Sequence, residues 1–496
     1  MSRSNGLPVI PRRSLRFPVG FAALALLTGA IVARLPALTA ALLLGAAVLT
    51  LLALLEPKAG VVVLLLLVPL KALIETETAY PLPLDVGQLT LAAVVICWLL
   101  NRIARREPLE LYGSLVQLPL VLFVLAAMLS LPGAISIGGG LEELLKWIEM
   151  ILLVSFCQAL YRREEAHWLV FALTLAAGVQ AIIGLYEFFG GSGAAHLWIL
   201  DNRYFRAFGT FGQPNPFGGF MGLVLPLAFV TALGYGNRVW QALRADGWRA
   251  LWQDQTQIIL LSTVFYSAMA AVIGAGLVAS WSRGAWIGFA AALAGMILFA
   301  FRSPVKALAL AAIAILGVFV LGSSGLLPAS ITERMGSFLE EFTTLGDARG
   351  LDITDANYAV LERLAHWQSA ALIAADYPWL GVGFGNYEVA YPRYSLLNWP
   401  LALGHAHNYY LNLLAEVGLV GLTAYIFAWG MILILSIRLW RRSAGLPRAW
   451  SVGLLGAWSH LTIHSLVDKL YVNNLFLHLG CMLGLLAVLF AVDEHH

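Results

Sequence analysis

Long apolar runs, each near the length of a bilayer crossing and separated by short polar links, dominate the chain. A helix needs about 20 mostly apolar residues to span the hydrocarbon core. Windows of that size predict transmembrane helices near 17–33, 36–55, 59–75, 87–103, 114–132, 141–160, 167–189, 215–234, 258–279, 282–301, 304–322, 408–437, 449–467 and 472–491. The expected total is twelve to fourteen. The run at 408–437 exceeds one crossing, which predicts a tilted or broken helix. The first run follows Arg12, Arg13 and Arg16 as a signal peptide would, but Arg34-Leu35-Pro36 comes after it instead of a small-residue cleavage site, so it is read as retained.

The polar links divide by charge. Arg102, Arg105 and Arg106, then Arg162 and Arg163, then Arg238, Arg244 and Arg249, then Arg438, Arg441 and Arg442 fall in alternate links. The positive-inside rule therefore predicts both termini in the cytoplasm and the other links outside. That assignment makes the longest polar stretch, 323–407, extracytoplasmic and divides the chain into an N-terminal bundle at 1–322, a loop domain at 323–407 and C-terminal helices at 408–496. A shorter, Gly-rich outer loop spans about 190–214. On the inner side, 235–257 carries Trp240, Leu243, Trp248, Leu251 and Trp252 among arginines, the pattern of an amphipathic segment on the membrane surface. Within the long loop, apolar positions from Val360 to Ile373 predict an amphipathic helix over Tyr358 to Ala375, lying on the outer face.

Composition agrees with an all-α polytopic membrane protein: 60% of the 496 residues are hydrophobic and 12% charged, against about a quarter charged in soluble domains. A net charge of +2 gives no reason to expect a nucleic-acid partner. Cys97, Cys157 and Cys481 lie in separate apolar runs and predict neither a disulfide nor a metal site.

Charges at the mouth of a membrane bundle are costly, so each is a candidate for chemistry. The shorter outer loop ends in Arg206-Ala-Phe-Gly-Thr-Phe-Gly-Gln213-Pro-Asn215-Pro and runs into a span. An arginine beside a helix start suits a phosphate group, though an interfacial anchor has the same appearance. Arg283 sits in a very short outer hairpin, Ser280 to Trp286, where it either snorkels or joins Arg206 in a pyrophosphate clamp. The long loop re-enters at Gly404-His405-Ala-His407-Asn408, where a histidine can serve as a general base. His-x-His could also belong to a metal site, but no cysteine or third histidine is near in sequence. Glu416, nine residues beyond His407, points into the bundle and reads as a structural hydrogen-bonding group rather than the base. Glu142, Lys146 and Glu149 share a helical face and predict an internal ion pair; His460 and His464, one turn apart, predict packing or a hydrogen bond.

Taken together, Arg206-Ala-Phe-Gly-Thr-Phe-Gly-Gln-Pro-Asn215, Ser282-Arg283-Gly284 and His405-Ala-His-Asn408, with Leu411, Leu414, Glu416 and Gly418 after it, resemble the O-antigen ligase and polymerase superfamily of bacterial membrane glycosyltransferases. Asp376-Tyr-Pro-Trp-Leu-Gly-Val-Gly383 resembles that family's long-loop signature. The resemblance is strongest over about 200–440.

The resemblance implies a GT-C-like membrane architecture in the bacterial inner membrane, with the active site facing the periplasm. It implies transfer of a glycan from an undecaprenyl-diphosphate carrier to an acceptor glycolipid such as lipid A-core, a growing polysaccharide or a protein hydroxyl. Arg206 and Arg283 would bind the donor diphosphate. His407 would activate the acceptor, with His405 as alternative or support, and Gln213, Asn215, Asn408 and Glu416 in supporting roles. Inversion by direct attack is implied, with no metal and no other cofactor. Ligase, polymerase and protein glycosylase share these motifs, so the acceptor stays open. The competing class is a transporter of a small anion such as bicarbonate, with Lys71, Lys146, Glu142 and Glu149 lining a path; the charged and Gly-rich features cluster instead at the outer surface.

Overall fold

A computed structural model describes residues 56–77, 85–108, 113–191, 197–200, 203–301, 303, 305–307, 309–310, 312–313, 347–354 and 357–491. The expected spans at 17–33 and 36–55, and most of that at 304–322, lie outside the described residues. The long helices that are described are α1 (Pro57–Leu67), α2 (Val86–Arg105), α3 (Gln117–Met128), α4 (Ile137–Leu160), α5 (Ala166–Gly190), α6 (Pro214–Asp246), α7 (Asp254–Ala279), α8 (Arg283–Ala300), α9 (Tyr358–Asp376), α10 (Tyr409–Arg442), α11 (Gly445–His464) and α12 (Leu475–Phe490). Among the described residues, seven helical stretches are long and apolar enough to cross a membrane, and the shorter apolar stretches Gln117–Gly133 and Leu475–Phe490 add to them. The protein is an all-α polytopic membrane protein.

Local chemistry accounts for the helix starts. Asp85 and Gln88 exchange hydrogen bonds with each other's backbone N–H as a capping box on α2 (2.9 and 3.4 Å). Ser136, Ser282 and Asn408 cap α4, α8 and α10 through side-chain oxygens, and Pro214 and Pro216 open α6 where a missing N–H is harmless. α12 is apolar except for His478, which bonds the Leu65 carbonyl (3.1 Å), and is buried, as expected for a helix at the centre of a bundle. Leu261 and Val264 of α7, by contrast, turn outward as lipid-facing surface.

Two sequence expectations change. Residues 235–257 do not form a separate surface segment: α6 runs on to Asp246, and a 3₁₀ helix, Gly247–Trp252, turns the chain. The tryptophans remain at that end, Trp248 and Trp252 are exposed, and Arg244 lies over the Trp240 ring. The internal ion pair also uses a different acid. Glu142 is exposed, whereas Glu143, one residue on, turns inward and pairs with Lys146.

The long run at 408–437 is broken, as its length implied. α10 has a non-helical residue, Gly418, at φ 61° and ψ −164°. The break strands backbone groups on both sides, and the loop segment 378–383 satisfies them. Val382 N donates to Ala415 O (3.0 Å) and Gly383 N to Glu416 O (2.9 Å), while Leu419 N donates to Pro378 O (2.9 Å) and Val420 N to Trp379 O (3.2 Å). This backbone-to-backbone approach needs glycine on both strands. A Cβ on Gly418 would run into the Trp379 carbonyl, and one on Gly381 into the backbone of Glu416. The Gly-rich loop is therefore a clasp between the segment after α9 and α10.

α6, α8 and α11 pack on one another through glycines. His460 and His464 of α11 are buried where α6 offers Gly219 and Gly222 and α8 offers Gly284 and Gly288. The pair is a packing feature: its rings fill the space that these glycines leave.

This packing predicts that Gly222→Ala, whose Cβ would meet the His460 ring, costs about 1–3 kcal/mol as an overpacked site. In a His460→Ala background the same change should cost nothing. Thermal unfolding in detergent measures both; equal losses in the two backgrounds would show that the histidine does not set the helix spacing.

Candidate functional site

The loop between α5 and α6 is anchored by the helices beside it. Its short strands β1 (Trp198–Ile199) and β2 (Tyr204–Phe205) pair antiparallel, with Trp198 opposite Phe205. From α5, Glu187 accepts the backbone N–H groups of Phe208 (2.9 Å) and Gly209 (2.7 Å), and Gln180 accepts that of Thr210 (3.0 Å). Ala207 N donates to Ala279 O at the end of α7 (2.9 Å). The side chain of Arg206 is held accordingly: Nε donates to Ser280 O (3.1 Å) and a terminal nitrogen to Asn215 Oδ1 (3.2 Å). Asn215 thus orients Arg206, whereas Gln213 is exposed and makes no side-chain cap.

Arg206 and Arg283 come from the same corner. Ser280, which holds Arg206, lies in the tight link between α7 and α8, and Arg283 is the first residue of α8. The link then touches the turn after α11: a Cβ on Gly284 would lie 2.7 Å from Val467 and 3.7 Å from His464. The residue after Val467 is Asp468, which faces both loop histidines. His405 Nε2 lies 3.6 Å from Asp468 Oδ1 and His407 Nδ1 3.9 Å from the same oxygen.

The re-entering loop is fixed by many bonds. Asn408 accepts from Tyr410 N (3.0 Å) and Leu411 N (3.1 Å), Ala406 N donates to Asn412, and Tyr409 N donates to Ser465 O (2.8 Å). Trp367 of α9 donates from Nε1 to the carbonyl of His407 (3.3 Å). These contacts hold His407 at φ 50°, a left-handed conformation unusual outside glycine. Backbone held in such a region by its surroundings is a frequent mark of functional sites. Glu416 is buried and accepts the Tyr387 backbone N–H (3.1 Å), so it braces the clasp rather than facing the histidines.

The two histidines differ in what they can do. The backbone N–H of His407 donates to His405 Nδ1 (3.1 Å). The neutral His405 ring therefore carries its proton on Nε2, directed at Asp468. Among the described residues, neither ring nitrogen of His407 has a hydrogen-bond partner within bonding distance, and its Nδ1 faces Asp468 at 3.9 Å. His405, His407 and Asp468 also place three ligand atoms within 4.8 Å of one another, close enough to hold a cation. A metal on His405 Nε2 would need a proton on Nδ1, and that nitrogen already accepts one from the backbone. The donor set as arranged suits a proton acceptor better than a metal.

Burial, and after it the neighbouring His407, pushes the pKa of His405 down to about 3 and that of His366 to about 4. For Asp468 burial acts upward, but His407 and His405 outweigh it and hold the carboxyl below its usual range. His366, on α9, stacks on Tyr391 and meets the His407 ring edge-on at 5.5 Å.

Several of these residues escaped the sequence reading. Asp468 and Lys469 sit in a link of a few residues between two apolar spans, where two adjacent charges were the available signal. His366, Trp367 and Arg363 were hidden in what read only as an amphipathic pattern. Glu187 and Gln180 lie inside a span with no neighbouring motif.

Residues 268–426 match the family model for O-antigen ligase. The match includes Arg283, His405, His407, Asn408 and Glu416; Arg206, Asn215 and Asp468 join the site from outside it. No curated protein matches the chain.

The lowered histidine pKa values predict acid sensitivity in helix α9. Unfolded imidazoles take up protons near 6.5, while His366 and His405 stay neutral until about 4 and about 3. The unfolded form thus binds more protons in that window, so stability present above pH 6.5 is lost as pH falls towards 4. Hydrogen exchange over 358–376 should accelerate across this range, and less so in His366→Phe; a rate profile independent of that substitution would contradict the assignment.

Proposed function

We propose that this member of the O-antigen ligase and polymerase superfamily transfers a glycan from an undecaprenyl-diphosphate carrier to an acceptor hydroxyl at the outer face of the bacterial inner membrane. Both termini are cytoplasmic in this reading, in keeping with Arg238, Arg438, Arg441 and Arg442 at the ends of α6 and α10 opposite the site. The observation that carries the proposal is the joint between Arg283-Gly284 and the His464–Asp468 turn, because it connects the arginine corner to the loop histidines.

In the proposed reaction Arg206 and Arg283 bind the donor diphosphate at headgroup depth. His407 removes the proton from the acceptor hydroxyl as the oxygen attacks the anomeric carbon. The bond between that carbon and the phosphate oxygen breaks, its electron pair leaves with the diphosphate, and the configuration inverts. The arginines stabilise the charge gathering on the leaving group, which is the largest charge change in the reaction. Asp468 stabilises the imidazolium through its ionised carboxylate, and His405 positions that carboxylate. The same chemistry serves a lipid acceptor, a growing polysaccharide or a protein serine or threonine.

Reconstitution in vesicles with a lipid-linked oligosaccharide and these three kinds of acceptor tests the proposal, and product mass identifies the acceptor. Arg206→Ala, Arg283→Ala and His407→Ala should each lower transfer by about 10²–10⁴-fold while the protein still inserts. His405→Ala should lose less. Full activity in His407→Ala would sink the base assignment.

A further inference from the structure

One large feature of the described residues plays no part in the candidate site. α6, α7 and α8 enclose a cavity of about 780 Å³, lined by Phe229 and Trp240, by Ser267 and Ala271, and by Phe289 and Leu293. Trp286 of α8 donates from Nε1 to the Leu277 carbonyl of α7 (3.1 Å), which ties these two helices together beside their short link. Beyond that tie they part, and the cavity occupies the gap. It comes no closer to the arginine corner than Phe289, about 9 Å of helix from Arg283. Phe229, Leu233 and Leu293 are exposed at its rim, so it opens sideways to the surroundings of the bundle, which in a bilayer are lipid.

The lining is graded. Towards Arg283 it consists of Leu225, Ala270, Ala271 and Phe289, all apolar. At the other end stand Asn237, Thr263 and Trp240, and the Arg244 guanidinium lies over the Trp240 ring at 4.9 Å. Stacking occupies the face of a guanidinium, while its N–H donors lie in the plane, where a phosphate can meet them. Arg244 and Trp240 are exposed, and so are Trp248 and Trp252 at the same end, as tryptophans are at headgroup depth. A groove that is apolar within the bundle and cationic at its mouth matches an amphiphile with an anionic head. A polyprenyl diphosphate held at Arg206 and Arg283 would carry its charge at the opposite end.

We propose that this groove holds an acyl chain of an anionic phospholipid from the leaflet at the Arg244 end of α6, with the lipid phosphate at Arg244 and Asn237. In the orientation proposed above that leaflet is the cytoplasmic one, where basic pockets between spanning helices receive anionic headgroups. The bound chain spaces α7 from α8 where Trp286 no longer joins them. The assignment stands on the cavity and its graded lining and does not depend on the glycan-transfer reading.

Native mass spectrometry of the detergent-solubilised full chain, titrated with phosphatidylglycerol or phosphatidylcholine, tests the proposal. Phosphatidylglycerol should bind more tightly than phosphatidylcholine and should raise the unfolding temperature. Arg244→Gln, at an exposed helix position, should weaken phosphatidylglycerol binding about fivefold, which is what one basic residue contributes near an anionic lipid surface, and leave phosphatidylcholine binding unchanged. Ala271→Phe and Ser267→Phe, which fill the groove from exposed positions of α7, should weaken binding of both lipids, with size-exclusion chromatography confirming that each variant is folded. Equal affinity for the two lipids in the unsubstituted protein would overturn the proposal, as would phosphatidylglycerol binding untouched by either filled variant. Polyprenyl phosphate that binds more tightly than phosphatidylglycerol and loses affinity in Ala271→Phe would assign the groove to a polyprenyl tail. A dimer that both filled variants abolish would assign it to a second copy of the chain. Either of these two results contradicts the phospholipid.

Discussion

The site depends on a turn of two adjacent charges that face opposite ways. Lys469 Nζ lies 2.8 Å from Glu143 Oε1 on α4, inside the bundle, and Asp468 presents its carboxylate to His405 and His407. Glu143 is shared with Lys146, so two ammonium groups compensate one carboxylate, and the Lys469 ammonium also lies over the Tyr409 ring. Burying these charges is expensive, and removing one partner of such a pair costs about 3–5 kcal/mol. The arrangement therefore fixes the backbone between α11 and α12 firmly, and Asp468 inherits that rigidity. The neighbouring Ser465 carbonyl holds Tyr409 N at the start of α10, and Val467 packs against Gly284. One short turn joins the bundle, the re-entering loop and the arginine corner.

Much of the architecture was legible in the sequence because a bilayer imposes a single strong requirement. Runs near 20 apolar residues must be helices there, since nothing in hydrocarbon can satisfy an open backbone. The expected spans at 167–189, 258–279 and 282–301 agree with α5, α7 and α8 to within a few residues. The break in α10 was legible as excess length, but its place at Gly418 was not, because it depends on a partner strand some forty residues earlier. The 235–257 stretch misled for a related reason. An amphipathic helix at the surface and the protruding end of a spanning helix carry the same pattern of tryptophan and arginine, and Gly247 alone marks the turn.

The site was legible where a motif lay within one segment. Arg206 with Asn215, Arg283 with Ser282, and His405 with His407 and Asn408 each stand close in sequence and in space. Asp468 was not legible, since its relation to His405 spans sixty-odd residues and passes through the packing of α10 on α11. The choice of Glu143 over Glu142 was equally hidden, because one residue of helix turns a side chain by about 100° and hydropathy does not register it. Glycine had a clearer meaning in the structure than in the sequence. Gly222 and Gly288 make room for buried imidazoles, and Gly381 and Gly418 let two backbones touch.

The central claim is that membrane arginines and loop histidines form one site for a lipid diphosphate and its glycan. The most direct measurement is an electron cryo-microscopy structure with an intact, slowly reacting polyprenyl-diphosphate-linked sugar. The account predicts diphosphate density in contact with Arg206 and Arg283, with the anomeric carbon turned towards His407. Diphosphate density on the opposite face of the bundle, or a sugar directed away from His407, would contradict it.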